Sequence, residues 1–418
     1  MMHETTRSAG GRPTSLALSL AIVVLSRAAP VHALDEPFRI DLVSSYDGAP
    51  TWSMVHVPDG YDPLVPVPLV LSCHGMGGDA HSAIDGVYKQ TNSRGWLAVA
   101  PHTHGERSDG QTSLAARAAQ HDLIDLIDWM VENYAVDEER IYLTGASMGG
   151  LQSSMSAAKY PHVFAAAWEW MGPADVEEIW YELDGSLLFQ ELADDTVIEC
   201  GGTPDEQLFE YRRRSPADFA MNLRTVPFKI GHGRTDILVR PHHAADLSRA
   251  IEAWDPLYFD GTYWHWGSHW ILPHHVTMTL DWFEDKVRRA PPHELVLTSD
   301  EEKDYYYLDV APALPDEAYA QLMSVLDEDT NTWDLRIRDA SSVGLRLDEA
   351  YLDPGADIRI DLARLGAPEL VLDGITGVVS GVDRQNSPWP HWELDGDRLT
   401  LDTEGEGPVQ ETFTVRID

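Results

Sequence analysis

Cysteine and basic residues are both scarce in this chain of 418 residues. Only two cysteines occur, Cys73 and Cys200, so a framework of several disulfides is excluded, although a single bridge between the two stays open. Lys and Arg together number 30 against 69 Asp and Glu, which gives a formal net charge of −39. A chain this acidic repels nucleic acid and anionic membrane surfaces, so we expect neither as a partner.

Long apolar runs are also few. The run SLALSLAIVVL at residues 15–25 follows two arginines and leads to the small-residue pattern VHA at residues 31–33. This pattern predicts a secretory signal peptide over residues 1–33, cleaved after Ala33, and therefore a secreted, periplasmic or extracellular mature protein. The run is short for a membrane span, which leaves an N-terminal anchor as the alternative, and no span is expected in the mature chain.

Two kinds of periodicity divide the remaining sequence. Over residues 34–290, strand-like runs such as VPLVLSCHG and GWLAVAP alternate with helical patterns, which predicts an α/β domain with a mostly parallel sheet flanked by helices. Residues 291–418 alternate apolar and polar side chains, which predicts a small, acidic, all-β accessory domain. Residues 173–212 interrupt the first pattern without a clear period. There we expect either a lid inserted over the site or a surface excursion.

A serine between glycines follows one of the strand-like runs. Gly145-Ala146-Ser147-Met148-Gly149 lies between RIYLT and the helix-compatible run GLQSSMSAAKY. The pattern G-x-S-x-G with these flanks predicts a sharp strand-to-helix turn that holds Ser147 at strained dihedrals and presents its hydroxyl as a nucleophile. The alternative is a glycine-rich bend without a catalytic role.

A nucleophilic serine requires a base, and the base requires an acid that orients it. Asp236 follows the strand-like run VPFKIGHG, and the segment TYWHWGSHWILPHH contains four histidines: His265, His269, His274 and His275. The order serine, acid, histidine is the one that accompanies this kind of serine turn. We predict Ser147, Asp236 and His269 as the catalytic residues and expect the other three histidines to be packed or at the surface.

An oxyanion hole requires backbone N–H groups directed at the developing negative charge. One is predicted from Met148, directly after the serine, and the other from Met76 in HGMGG, which follows an early strand. The side chains of these methionines are not implicated.

Tryptophan and histidine are concentrated near the predicted base. Trp264, Trp266 and Trp270 are candidate substrate-binding residues that would stack on sugar or phenolic rings, with ordinary core packing as the alternative. Two further pairs of histidines lack a third ligand at diagnostic spacing: His102 with His104, and His242 with His243. The sequence therefore predicts neither a metal site nor a cofactor.

The segments HGMGG, VDEERIYLTGASMGG and RRRSPADFAMNLRTVPFKIGHGRTDILVRP resemble secreted α/β-hydrolases. The resemblance covers about residues 40–290. It is strongest to esterases of the polyhydroxyalkanoate-depolymerase and feruloyl-esterase type and to the catalytic domain of prolyl-oligopeptidase-like peptidases. It implies the α/β-hydrolase fold and the same catalytic residues, Ser147, Asp236 and His269.

These observations predict a secreted serine hydrolase that cleaves carboxylic esters, small or polymeric, through an acyl-enzyme. An ester is favoured over a peptide because neither a propeller nor an evident amine-binding pair of glutamates is recognisable. A prolyl-oligopeptidase-like peptidase is one alternative. The other is a non-catalytic binding or adhesion protein on a hydrolase scaffold, in which the acidic β domain is the working part.

Overall fold

The computed structural model describes residues 36–105, 112–314, 317–405 and 408–418. The predicted signal peptide lies outside these ranges. Within them the chain forms a sheet of eight strands with helices around it, followed by sheets of six and seven strands. Cys73 and Cys200 are both buried free thiols, so the bridge that the sequence left open is not formed.

The first sheet is mostly parallel, as predicted. Its strands are β1 Phe38–Val43, β2 Pro50–His56, β3 Val67–Cys73, β4 Leu97–His102, β5 Val136–Ala146, β6 Ala166–Trp170, β7 Phe228–Gly233 and β8 Phe259–His265. They lie in the order β1-β2-β4-β3-β5-β6-β7-β8. β2 pairs antiparallel with β1 and β4, and the remaining pairs are parallel. The carboxyl ends of β3 to β8 therefore meet at one edge.

The helices connect these strands and cover the sheet. They are α1 Ala80–Asn92, α2 Arg117–Asn133, α3 Met148–Lys159, α4 Val176–Leu183, α5 Gln190–Cys200, α6 Pro204–Arg212, α7 His242–Glu252 and α8 Pro273–Phe283, with a 3₁₀ segment at Pro216–Thr225. Residues 173–212, for which the sequence showed no clear period, thus contain three helices. In α4 the buried residues Val176, Ile179 and Leu183 do have helical spacing, but the acidic and aromatic residues between them obscure it.

The C-terminal region is all β in its described residues. Its strands are β9 Glu294–Ser299, β10 Lys303–Tyr305, β11 Leu308–Pro312, β12 Ala320–Asp327, β13 Thr332–Arg338, β14 Ala340–Arg346, β15 Ile358–Leu365, β16 Glu369–Asp373, β17 Val379–Arg384, β18 Ser387–Pro388, β19 Trp392–Asp395, β20 Arg398–Asp402 and β21 Pro408–Ile417. One sheet has the order β10-β11-β14-β16-β20-β19 and the other the order β18-β17-β21-β15-β13-β12-β9. Alternate residues of both sheets share one apolar core.

A buried ionic cluster joins the two regions. Asp300, directly after β9, accepts a 2.9 Å bond from Lys159 Nζ at the end of α3 and one of the same length from Arg213 Nε after α6. The Lys159 and Asp300 side chains are fully buried. Burial alone would raise the pKa of Asp300, but the two cations lower it to about 2. The carboxylate is therefore ionised in the folded protein at neutral pH.

We expect Asp300→Asn to destabilise the protein strongly, because the fully buried Lys159 would lose the carboxylate to which it is hydrogen-bonded. Removing one partner of a buried ion pair typically costs about 3–5 kcal/mol. Urea unfolding followed by circular dichroism measures the change. Asp334→Asn is the matched control, because Asp334 pairs with Arg336 at the surface and such pairs contribute about 0–1 kcal/mol. Equal, small losses in both variants would contradict this account.

Candidate active site

Ser147 occupies a strained turn between β5 and α3. Its φ of 60° and ψ of −124° are unusual for a residue with a side chain. The Ser147 N–H donates to the Trp170 carbonyl over 2.8 Å, and the Ser147 carbonyl accepts from the Leu151 N–H over 3.0 Å. Main-chain bonds to a neighbouring strand and to the following helix therefore hold the conformation in place, as such strain requires.

Glycine on each side of this turn is required by close backbone contacts. A Cβ on Gly149 would overlap the carbonyl oxygen of Cys73 at the end of β3. A Cβ on Gly145 would overlap the backbone of Gly149. The strand and the helix can approach this closely only without side chains at these positions.

Asp236 and His269 lie together on the loops after β7 and β8. The His269 Nδ1–H donates to Asp236 Oδ2 over 2.6 Å. The other carboxylate oxygen, Oδ1, accepts the N–H groups of Leu238 and Val239 at 3.0 and 3.1 Å. Asp236 is only 4% exposed, and these three hydrogen bonds fix the position of its carboxylate.

The second ring nitrogen of His269 is available for proton transfer. With Nδ1 donating to Asp236, the neutral ring carries a lone pair on Nε2. This Nε2 is buried and makes no hydrogen bond. Strand register brings Ser147 to the same edge. Ala146 of β5 pairs with Trp170 of β6, Trp170 pairs with Gly231 of β7, and Gly231 pairs with Tyr263 of β8.

The other histidines of the segment lie where the sequence led us to expect. His265 is buried with its ring 4.6 Å from that of His275. His275 is buried and stacks on Trp170 at 4.9 Å, and burial lowers its pKa to about 4. His274 is exposed.

The loop predicted to supply the oxyanion hole touches the serine turn. A Cβ on Gly75 would lie 3.7 Å from the Ser147 Cβ, an ordinary van der Waals distance. Met76 follows in this loop, and Met148 is the first residue of α3, where the backbone N–H has no partner within the helix. His74 secures the loop, since its Nδ1 donates to the Gly75 carbonyl over 3.0 Å.

The three tryptophans differ in exposure. Trp264 is half-buried and packs against the core of the sheet. Trp266 is 87% exposed and Trp270 is 50% exposed. The Arg234 guanidinium lies over Trp264 at 5.5 Å and over Trp266 at 5.3 Å. Exposed aromatic surface therefore flanks His269 in the chain, at residues 266 and 270.

Two residues near the site escaped the sequence analysis. His232, fully buried in β7, donates from Nε2 to the Val239 carbonyl over 2.9 Å and so supports the Asp236 loop. Glu169, fully buried in β6, accepts the Gly172 N–H on Oε2 over 2.8 Å, while its Oε1 makes no hydrogen bond. Burial raises the pKa of Glu169 to about 8. A glutamate inside the apolar run AAAWEWMG was the signal that could have revealed it.

The helices of residues 173–212 pack against the loop after β7, which carries Asp236. Ile179 and Leu183 of α4 and Ala193 of α5 form an apolar cluster with Val239. The Glu182 carboxylate also accepts a 2.9 Å bond from Arg240. This packing brings the segment close to Asp236, and its action as a lid stays a prediction. No helix in the described part of the chain is long and apolar enough to cross a membrane.

Comparison with known proteins gives both esterases and peptidases. A model of the prolyl oligopeptidase family matches residues 87–289. Feruloyl esterase B of Neurospora crassa is 26% identical over 114 residues, which are 25% of this chain and 39% of that protein. Dipeptidyl aminopeptidase BIII of Pseudoxanthomonas mexicana is 25% identical over 197 residues, which are 45% of this chain and 28% of that protein.

A solved puromycin-hydrolyzing peptidase of Mycobacterium tuberculosis has a similar fold. The TM-score is 0.50 at 20% identity, and the match covers 62% of this chain and 39% of that one. The chain spans less than half the length of the first curated relatives that it matches. At this identity the structural similarity shows the fold, and it confirms the predicted α/β-hydrolase architecture.

We expect Glu169→Gln to stabilise the protein more at pH 8 than at pH 5. The folded pKa of Glu169, about 8, lies above the ordinary 4.5, so the folded state retains a proton that the unfolded chain releases. Folding becomes less favourable as pH rises through this window, and glutamine removes that linkage. The difference between variant and parent should grow by on the order of 3 kcal/mol between pH 5 and pH 8.

Urea unfolding at several pH values measures this difference. Glu191→Gln, at an exposed position on α5, is the control and should show a small difference at every pH. A Glu169→Gln difference that does not vary with pH would show that Glu169 is ionised in the folded protein.

Proposed function

We propose that this chain, a serine hydrolase of the α/β-hydrolase superfamily, cleaves carboxylic esters with Ser147 as nucleophile, His269 as base and Asp236 as orienting acid. The observation that carries the proposal is the 2.6 Å bond from His269 Nδ1 to Asp236. It leaves Nε2 as the proton acceptor at the sheet edge where Ser147 is presented in a strained turn.

In the first half of the reaction, Ser147 Oγ attacks the ester carbonyl carbon while His269 Nε2 takes the hydroxyl proton. The carbonyl π electrons move to oxygen, and the N–H groups of Met76 and Met148 donate to that oxyanion. When the tetrahedral adduct collapses, the bond to the leaving oxygen breaks and His269 returns the proton to it. Asp236 holds the ring in the correct tautomer and stabilises the imidazolium.

The second half regenerates the enzyme. Water attacks the acyl-enzyme carbonyl and gives its proton to His269 Nε2. The Ser147–acyl bond then breaks, the proton returns to Ser147 Oγ, and the carboxylic acid leaves. The same two N–H groups stabilise both tetrahedral adducts, so one oxyanion hole serves both steps.

Ester and peptide substrates use the same chemistry, so the bond cleaved depends on what binds beside Ser147. Similarity to a feruloyl esterase and the exposed rings of Trp266 and Trp270 support an ester with an aromatic or sugar component. The match to the prolyl oligopeptidase family model over residues 87–289 and the similarity to a dipeptidyl aminopeptidase favour a peptidase as the second candidate.

We expect Ser147→Ala to abolish labelling by a fluorophosphonate probe and to lower kcat for p-nitrophenyl acetate by 10⁴-fold or more, as removal of a triad serine does. Asp236→Asn should lower kcat by about 10⁴-fold, because His269 would adopt the wrong tautomer. Ser268→Ala is the control for a neighbouring hydroxyl and should keep both labelling and turnover. Labelling that persists in Ser147→Ala would remove the assignment.

The ratio of kcat/KM for methyl ferulate and p-nitrophenyl acetate to that for dipeptidyl p-nitroanilides separates the two candidate functions. We expect the esters to be preferred. A preference for the anilides would transfer the proposal to the peptidase, with the same three catalytic residues.

We expect Trp270→Ala to raise KM for methyl ferulate by roughly 2- to 10-fold, which corresponds to the loss of one aromatic pair, and to leave KM for p-nitrophenyl acetate nearly unchanged. Trp254→Ala is the matched control, because Trp254 is 41% exposed but precedes β8 and so lies at the opposite end of that strand from Trp270. Equal effects on the two esters, or equal effects in the two variants, would contradict an aromatic subsite at Trp270.

A further inference from the structure

Four side chains of α4 and α7 converge on one point without forming hydrogen bonds to one another. Glu178 and Glu182 are one turn apart on α4, and His242 and His243 are the first two residues of α7. We propose that these four residues bind one divalent transition-metal ion of the zinc class, which joins α4 to α7.

The spacings of His242 from Glu178 and of His243 from Glu182 suit a tetrahedral ion, whereas His243 Nδ1 lies 4.0 Å from Glu178 Oε2. His242 Nε2 lies 3.4 Å from Glu178 Oε1 and 3.5 Å from Glu182 Oε1, and His243 Nε2 lies 3.5 Å from Glu182 Oε2. One ligand atom each from Glu178, His242 and His243 lies within 4.8 Å of the other two. Bonds of 2.0–2.2 Å to a tetrahedral zinc ion place neighbouring ligands roughly 3.3–3.6 Å apart. Hydrogen-bonded groups would be closer, at about 2.7–3.2 Å.

Burial of unpartnered polar atoms is an independent observation at the same point. The His243 side chain is fully buried, and neither its Nε2, nor His242 Nε2, nor Glu182 Oε2 makes a hydrogen bond. Leaving a buried polar atom without a partner typically costs about 1–3 kcal/mol. Coordination to a metal would satisfy all three atoms at once.

His243 would bind the metal through Nε2. Metals bind the neutral imidazole, in which the other ring nitrogen carries the proton. Coordination through Nε2 moves the ring proton to Nδ1, which displaces the weak 3.4 Å contact from the Ala174 N–H.

Surrounding contacts orient the ligands. The Arg240 guanidinium donates to Glu182 Oε1 over 2.9 Å, which fixes that carboxylate and leaves Oε2 directed at His243. Such outer contacts commonly orient metal ligands. Two imidazole nitrogens with carboxylate oxygens favour zinc or a similar ion, whereas calcium takes six to eight oxygen ligands.

Sequence spacing could not reveal this site, since Glu178 and His242 are 64 positions apart and the adjacent histidines suggested no metal.

The proposed metal site lies close to the loop that carries Asp236. His242 follows Val239 by three residues, and Val239 donates to the Asp236 carboxylate. A metal here would fasten the helices of residues 173–212 to the loop that carries Asp236.

The test uses the full chain, purified without metal-affinity resin and stripped with EDTA. Titration with Zn²⁺ by isothermal calorimetry should show one site that is lost in Glu178→Gln and in His242→Ala. Both side chains are partly exposed, at 46% and 37%, so the variants are expected to fold. Affinity should fall by at least the roughly 10- to 100-fold seen when an outer partner of a metal is lost. Zn²⁺ should raise Tm in the parent and not in these variants.

Glu177→Gln, on the same helix, and His81→Ala, at an exposed position on α1, are the controls and should bind as the parent does. Three outcomes would overturn the proposal. These are no Zn²⁺ binding by the stripped parent, unchanged binding in Glu178→Gln and His242→Ala, and displacement of Zn²⁺ by equimolar Ca²⁺.

Discussion

Where β5 turns into α3, the backbone of Gly149 lies so close to the Cys73 carbonyl oxygen that no side chain fits between them. This contact forces the chain through Ser147 at a φ of 60°, a conformation that costs on the order of 1–3 kcal/mol. The bonds from the Ser147 N–H to Trp170 and from Leu151 to the Ser147 carbonyl offset that cost. The strain persists because main-chain bonds and close backbone contacts fix the turn on both sides, and it keeps the hydroxyl at the edge where the other groups gather.

Those other groups reach the same edge because β5 to β8 are parallel neighbours in step. Asp236 and His269 each need only a short loop beyond their strands, and the two loops are tied together by a 3.0 Å bond from the Thr235 N–H to the Gly267 carbonyl. The proposed acid–base pair is therefore held in place by the sheet and its loops. Catalytic groups that need no rearrangement stabilise developing charge at little cost, so under the proposed function the sheet would contribute to the chemistry as well as to the fold.

Local signals allowed the sequence to predict the parallel sheet, the serine turn and the order of the candidate catalytic residues. The motif G-x-S-x-G between a strand and a helix is recognisable from local sequence alone, so the strained turn at Ser147 could be predicted directly. Features that depend on distant partners could not be predicted. The apolar side of α4, with Ile179 and Leu183, faces the loop after β7 and was hidden by acidic neighbours. The contact between Glu178 and His242 follows from packing alone, whereas Glu169 was recognisable as a carboxylate inside an apolar run.

The ionic cluster at Asp300 bears on the alternative in which the β region works as a binding module on an inert scaffold. α3 begins directly after Ser147 and ends at Lys159, whose ammonium group is bound by Asp300 of the β region. The strained turn thus holds one end of the helix and the C-terminal region holds the other. A separable module would not supply the counter-charge for a fully buried lysine, because its removal would leave that charge unpaired at high cost. The contact therefore gives the β region a part in positioning the helix that follows the serine.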